Sequence, residues 1–263
     1  MTDRVDTVLV FEGQGARTIA TEPPVDLTTL AAAEAQAAIV RHQVARAEPY
    51  RRKGAHAVVG QSLGEISALV VAGAIALDDA LELVHLRAEL PGELLEPREW
   101  TMASLTRVRS GPVQAAATDL PLWVVGHNGP ADCIVVGERA AFATFATRLG
   151  LTDKTYRELP VTHPYHTPLM RPVAAALAAE LDGIDVLDPA VPVLSPTGPR
   201  SITDAGDARN VITDALVSPV AWSAALHQGA ETWPDAAWRE CGPSASLYRF
   251  VWKNALTLDW AEA

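Results

Sequence analysis

The chain is poor in cysteine: Cys133 and Cys241 are the only two in 263 residues. Their spacing suits neither a metal nor a redox pair. Both are expected as reduced thiols of a cytoplasmic protein, with no metal site and no bound cofactor. Long apolar runs are also lacking. The longest, around Ala68–Leu77 and Val173–Ala179, fall far short of a membrane span. The opening Met1-Thr-Asp-Arg-Val-Asp has neither the basic nor the apolar region of a signal peptide. Positive charge is scarce: 21 Lys and Arg stand against 32 Asp and Glu, a formal net charge of −11 that argues against a nucleic-acid surface. Repeats, low-complexity tracts and linkers are absent. What remains is 49% hydrophobic, ample for one large core or for a core with a small inserted subdomain.

Local patterns divide the chain. Thr7–Phe11 and Ala55–Gly60 read as buried strands, and Leu27–Arg46, Ala-rich without Gly or Pro, as a helix. Ile66–Ala74 and Leu77–Leu90 are helical, with Asp78 and Asp79 suiting the dipole of the second. From about Thr101 the pattern changes. Strand Thr101–Val108, helix Pro112–Thr118, strands Leu122–Gly126 and Cys133–Val136, helix Arg139–Leu149 and strand Thr155–Leu159 follow in βαββαβ order. That order suits a ferredoxin-like subdomain, residues 99–162, inserted in an α/β-hydrolase-like body of residues 1–98 and 163–263. Pro168–Leu181 then reads as a helix opened by proline, Val191–Ser195 as a strand, and Asp214–Ala230 as mostly helical.

One motif carries chemistry. Gly60-Gln-Ser-Leu-Gly64 lies between a strand and a helix, as a nucleophile elbow requires, and its glycines let the chain turn sharply and lift the Ser62 hydroxyl clear. The Leu63 N–H then sits at a helix start, where it can stabilise an oxyanion. A serine of ordinary pKa needs a base, and seven histidines are available: His42, His56, His85, His127, His163, His166 and His227.

Ordered landmarks along nearly the whole chain make the reading specific. Phe11-Glu-Gly-Gln-Gly-Ala16 resembles the FPGQGA opening of malonyl-CoA:acyl carrier protein transacylases and polyketide-synthase acyltransferase domains. Gly60-Gln-Ser-Leu-Gly-Glu65 is similar to their GHSxGE. Leu83-Val-His-Leu-Arg-Ala-Glu-Leu90 resembles the segment bearing that family's carboxylate-binding arginine, and Arg87 lies 25 residues beyond Ser62, as the family pattern requires. Val125-Gly-His-Asn128 falls where the family has an asparagine near the active site. His163-Pro-Tyr-His-Thr-Pro-Leu-Met170 resembles HAFHSPLM. Ser195-Pro-Thr-Gly198, Pro219-Val-Ala-Trp222 and Glu240-Cys-Gly-Pro243 match later landmarks in order.

The resemblance implies an α/β acyltransferase in which Ser62 becomes an acyl-ester and His166 shuttles its proton. It implies an oxyanion hole from the N–H groups of Leu63 and Gln14, and a backbone carbonyl near Ala221 that orients His166. Arg87 would hold a free carboxylate bidentately and so select malonyl over acetyl groups. A bulky Tyr165 would leave little room for an α-methyl, favouring unbranched malonyl by ~1–3 kcal/mol. His163 matches the motif and is read equally as a substrate contact or as packing; Asn128 is read as a substrate neighbour. The remaining histidines are taken as structural or solvated.

The sequence also departs from the pattern. Gln61 stands for the usual histidine and Glu12 for a proline, the stretch from Gly15 to Ser62 is short, and Pro91 sits where the helix usually continues. These bear on the acyl group more than on the chemistry. The implied substrate is malonyl-CoA, and the implied partner is an acyl carrier protein with its phosphopantetheine arm. Transfer of a larger acyl group between carriers and editing hydrolysis of carrier thioesters are the alternatives, the latter disfavoured by Arg87. Carrier proteins are generally acidic, as this chain is, so docking is expected on a local basic patch effective within ~8 Å. Arg51-Arg52-Lys53 lies at the wrong end of its strand; Arg98, Arg171 and Arg200 border active-site segments, and Arg171 is the first choice.

Overall fold

Residues 6–263 are described in the computed structural model; the opening residues 1–5, read above for a leader, lie outside the described residues. After β1 (Thr7–Phe11) the chain makes a small hairpin of β2 (Thr18–Ile19) and β3 (Val25–Asp26), then helix α1 (Ala32–Arg52). Strand β4 (Ala57–Gly60) leads into α2 (Leu63–Val71) and α3 (Leu77–Leu94). Next come β5 (Trp100–Thr106), α4 (Ser110–Ala117), β6 (Leu122–Gly129), β7 (Asp132–Glu138), α5 (Arg139–Leu149) and β8 (Tyr156–Glu158). The last stretch holds α6 (Arg171–Leu181), β9 (Val193–Ser195), β10 (Arg200–Ile202), α7 (Ala205–Val217) and α8 (Trp222–Thr232). It ends with β11 (Ala237–Glu240), α9 (Tyr248–Lys253) and β12 (Asp259–Glu262).

The larger sheet has the order β10-β9-β4-β1-β11-β12, parallel except for the edge strand β10. Its central strands are apolar on both faces, as a covered parallel sheet demands. Leu9, Phe11 and Val58 point into a core shared with α1, α2, α3, α6 and α7. Val8, Val10, Ala57 and Val59 point the other way, onto Trp222, Trp238 and Phe250.

The smaller sheet, order β6-β7-β5-β8, is antiparallel throughout. Alternation again separates two jobs. Ala103, Leu105, Cys133 and Val135 pack under α4 and α5 with Phe142 and Phe145. Met102, Ser104 and Ile134, on the opposite face, look into the cleft between the two sheets.

Several boundaries differ from expectation for local reasons. Leu27–Thr29 is a 3-10 turn capped by the Asp26 carboxylate, which accepts from Thr28 N at 2.9 Å, so α1 begins later, at Ala32. Helix α3 runs on through Pro91 to Leu94, so the path past Arg87 stays helical. The helix expected over Asp214–Ala230 is two helices, because Ser218-Pro219 ends α7. Strands β10, β11 and β12 are short and carry too little pattern to be read in advance.

The tightest packing lies at the elbow. A Cβ on Gly64 would stand 2.2 Å from the Phe11 carbonyl oxygen, and one on Gly60 would stand 2.2 Å from the Gly64 carbonyl oxygen. Backbone on both sides means that neither neighbour can yield. Gly64→Ala is expected to destabilise the protein by ~1–3 kcal/mol, as overpacking does. Urea unfolding of the variant beside wild type measures this; equal midpoints would show that the elbow has slack.

Candidate active site

Ser62 stands between β4 and α2 with φ 56° and ψ −115°, a backbone conformation that costs ~1–3 kcal/mol and is typical of functional turns. Its Oγ lies 2.8 Å from His166 Nε2. His166 also has a positive φ, 66°, and is buried. Its own N–H donates to the Leu216 carbonyl at 2.7 Å, which pins the histidine loop to the end of α7.

The carbonyls that favour a proton on the imidazole are those of Ala215 and Ser218, while Nδ1 itself is buried without a well-formed hydrogen bond. The Ala221 carbonyl, expected near the histidine, accepts from Ala225 N–H at 3.0 Å inside α8. The break at Ser218-Pro219 ends α7 and leaves its last carbonyls without helix partners, and one of them, that of Leu216, takes the His166 N–H. Burial, then the nearby Arg87 charge, push His166 down to about 4, so at neutral pH the ring is an unprotonated acceptor for the Ser62 proton.

The Leu63 N–H opens α2 and has no intrahelical acceptor. Gln14 lies in the loop after β1, which packs on the elbow: a Cβ on Gly13 would meet the Gln61 carbonyl oxygen at 2.8 Å and Ser62 Cβ at 3.3 Å. Gln61 donates to the Asn128 side chain at 3.2 Å, joining the elbow to β6. Thus the residue that stands for the usual histidine acts as a bridge to the smaller sheet.

Arg87 is buried on α3 and makes no ion pair among the described residues. Its guanidinium donates to Gln36 Oε1 at 2.6 Å and, more weakly, to Gln14 Oε1 at 3.5 Å. The Tyr165 ring lies under it, 4.3 Å from the guanidinium carbon to the ring centre. Pro91 completes the arrangement. It has no N–H to give to the carbonyl four residues back, which is that of Arg87, and the Tyr165 hydroxyl donates to this freed oxygen at 2.9 Å. The helix proline and the tyrosine together fix the arginine. Burial lowers the Arg87 pKa, the expected result of holding a cation where no carboxylate balances it.

A cleft with a cavity volume of about 230 Å³, open to solvent at its mouth, runs between the sheets. Gln14, Ser62, Asn128, Tyr165 and His166 line it; Arg87 lies behind Gln14 rather than on its surface. His163 does not line it either: the ring is half-buried, set edge-on against Tyr165 at 6.2 Å, and burial lowers its pKa.

Residues 10–245 match the profile of the acyl transferase domain. The chain belongs to the acyl transferase domain family. A malonyl CoA-acyl carrier protein transacylase of Bacillus subtilis is 28% identical over 203 residues, 74% of this chain and 64% of that protein's own length. A solved malonyl-transacylase, in complex with its type II polyketide synthase acyl carrier protein, superposes with TM-score 0.87 at 25% identity, covering 98% of this chain and 96% of that one. The acyltransferase domain of an iterative polyketide synthase in enediyne biosynthesis matches with TM-score 0.79 at 26% identity, over 98% of this chain and 65% of that one.

In this acyl transferase domain several site residues escaped sequence reasoning. Gln36 reads as one more solvated helix glutamine, and nothing local marks it as the partner of Arg87. Arg157 and Arg249 line the cleft mouth from β8 and α9. They lie near enough that burial and then the Arg157 charge lower Arg249. Of the other basic candidates, Arg98 pairs with Glu96 and Glu138, Arg200 with Asp207 and Asp214, and Arg51 and Arg52 with Glu48. Arg171 opens α6, exposed, without an ion pair among the described residues.

The lowered histidine has a measurable consequence. A base must be unprotonated to act, so with His166 pushed down to about 4 the acylation rate is expected to stay flat from about pH 8 to about pH 6 and to fall only in stronger acid. His166→Ala should slow acylation by ~10²–10⁴-fold. Stopped-flow acylation across pH tests both; a wild-type rate that halves near pH 6.5 would mean that the ring is more solvated than its position implies.

Proposed function

We propose that this chain transfers a malonyl group from coenzyme A to the phosphopantetheine thiol of an acyl carrier protein, through an acyl-ester on Ser62. The observation that carries this reading is a buried, unbalanced Arg87 next to a serine–histidine pair at 2.8 Å. The likeness to malonyl transacylases over most of the chain supports it.

In this reading Ser62 Oγ attacks the thioester carbonyl while His166 Nε2 takes its proton. The tetrahedral oxyanion accepts from the N–H groups of Leu63 and Gln14. Its collapse expels the CoA thiolate, which receives the proton from His166. The carrier's thiol then gives its proton to His166 and attacks the ester, and Ser62 recovers its proton as it leaves. The helix-end carbonyls of Ala215 and Ser218 stabilise the transient imidazolium. The malonyl carboxylate displaces the weak Gln14 contact and pairs with Arg87, held ready by Gln36 and Tyr165. Asn128 braces the elbow through Gln61, and His163 supports Tyr165 by packing. Arg157 and Arg249 supply the positive charge that the phosphates of CoA and of the carrier arm require at the mouth.

The architecture behind this reading is an α/β-hydrolase-like body, residues 1–98 and 163–263, with a ferredoxin-like insert, residues 99–162, roofing the cleft. The strand order of the smaller sheet supports the insert assignment. Malonyl-CoA enters as substrate, with no resident cofactor.

Two variants test the reading. Arg87→Ala should cost malonyl-CoA acylation ~1.5–3 kcal/mol, the range for hydrogen bonds to a charged group, while acetyl-CoA loses little. Intact mass spectrometry of the acyl-enzyme compares the two; equal losses would remove the case for malonyl. Arg171→Glu should weaken loading of the carrier and leave acylation by malonyl-CoA near wild type. Carrier loading unchanged across a salt titration would move the docking surface elsewhere.

A further inference from the structure

The side chain of Glu12 is buried just past the end of β1, in the stretch that leads to Gln14. One carboxylate oxygen accepts from Ser244 N–H at 2.7 Å. The other accepts from the Ser244 hydroxyl and from the Ser246 hydroxyl, the latter at 2.8 Å. Glu12 makes no ion pair among the described residues. Its main-chain carbonyl accepts from Gln43 at 2.7 Å, so the residue is fixed at both ends. Gly242 packs directly on it: a Cβ there would stand 2.4 Å from Glu12 Cγ. A second carboxylate, Glu240, takes Leu247 N–H at 2.8 Å and Tyr248 N–H at 3.2 Å. The loop from β11 to α9 is thus wrapped around two acids.

The polarity of these bonds matters for the cleft, because Ser244 and Ser246 line it. A hydroxyl has one proton, and each of these is given to Glu12. Toward the cleft the two serines then offer only lone pairs. We infer that Ser244 and Ser246, set by Glu12, form an acceptor rail that binds the amide N–H groups of the pantetheine arm. This inference rests on the proposed thioester transfer and adds the element that CoA and a carrier protein share. Arg157 and Arg249, at the same mouth, suit the phosphate at the far end of that arm. The Glu12 carboxylate does not reach the substrate. It is a positioning residue that sets which way the serine protons point.

The test compares malonyl-pantetheine, which carries two amides, with the S-methyl thioester of malonate, which has none. The measured quantity is the ratio of their second-order rates of Ser62 acylation, followed by intact mass. Ser246→Ala should lower this ratio roughly five- to tenfold, the worth of about one hydrogen bond. Ser246→Thr, which keeps the hydroxyl, should restore most of it. Glu12→Gln keeps the volume but presents an N–H that turns one serine proton toward the cleft, so it should lower the ratio as well. A ratio unchanged in Ser246→Ala, or both thioesters slowed equally, overturns the rail and leaves the thioester reading standing. A wild-type protein that forms no adduct at Ser62 with either thioester overturns the thioester reading itself, and this inference with it.

Discussion

Everything in the site depends on how closely the ends of β1 and β4 approach the start of α2. These strands pair in parallel register, Phe11 beside Gly60, and the next residues must separate at once into a loop and a helix. They do so with backbone in contact: Gln61 N–H donates to the Phe11 carbonyl at 2.8 Å, the same oxygen that excludes any side chain from Gly64. That contact sets the loop that holds Gln14 against the elbow that holds Ser62 and Leu63. It also holds Ser62 at a positive φ, a cost that such dense surroundings can sustain.

The second organising feature is a buried cation with no carboxylate partner among the described residues. Arg87 is held by neutral groups: the amide oxygens of Gln36 and Gln14, the ring of Tyr165, and a backbone carbonyl tied to that ring through the gap left by Pro91. Glutamine oxygens orient a guanidinium without cancelling its charge, so the position keeps its attraction for an incoming anion. The same charge helps to keep His166 neutral, which is the form a base requires. Glu65, the nearest buried acid, is pushed up to about 7 by desolvation and is occupied by Ser195 and Thr197, so it competes little for Arg87.

The cleft reconciles an acidic protein with anionic ligands. Arg51, Arg52, Arg98, Arg139, Arg200, Arg209 and Arg239 are paired with carboxylates, whereas Arg157 and Arg249 converge on the mouth from β8 and from α9. Two acids, Glu12 and Glu240, are buried and satisfied by serine and main-chain donors of the loop that leads into α9. Net charge therefore says little about the local field that a ligand meets.

Much of this was legible in the residues alone. The elbow follows from Gly60, Ser62 and Gly64 between an apolar strand and a helix, because only that backbone can make the turn. The smaller antiparallel sheet with its two helices follows from the βαββαβ order of short periodic segments. Ser62, His166 and Arg87 are marked in the sequence by the resemblance, and the structure brings Ser62 Oγ to 2.8 Å from His166 Nε2. What the sequence hid were relations between distant backbones. That the end of α7 supplies the Leu216 carbonyl to the His166 N–H depends on where Ser218-Pro219 breaks a helix and on what lies across from the break. Gln36 and Arg157 look like ordinary polar residues in one dimension. Their roles arise because folding removes water and leaves each polar group only the partners that packing brings near, and only the tertiary structure decides which partners those are.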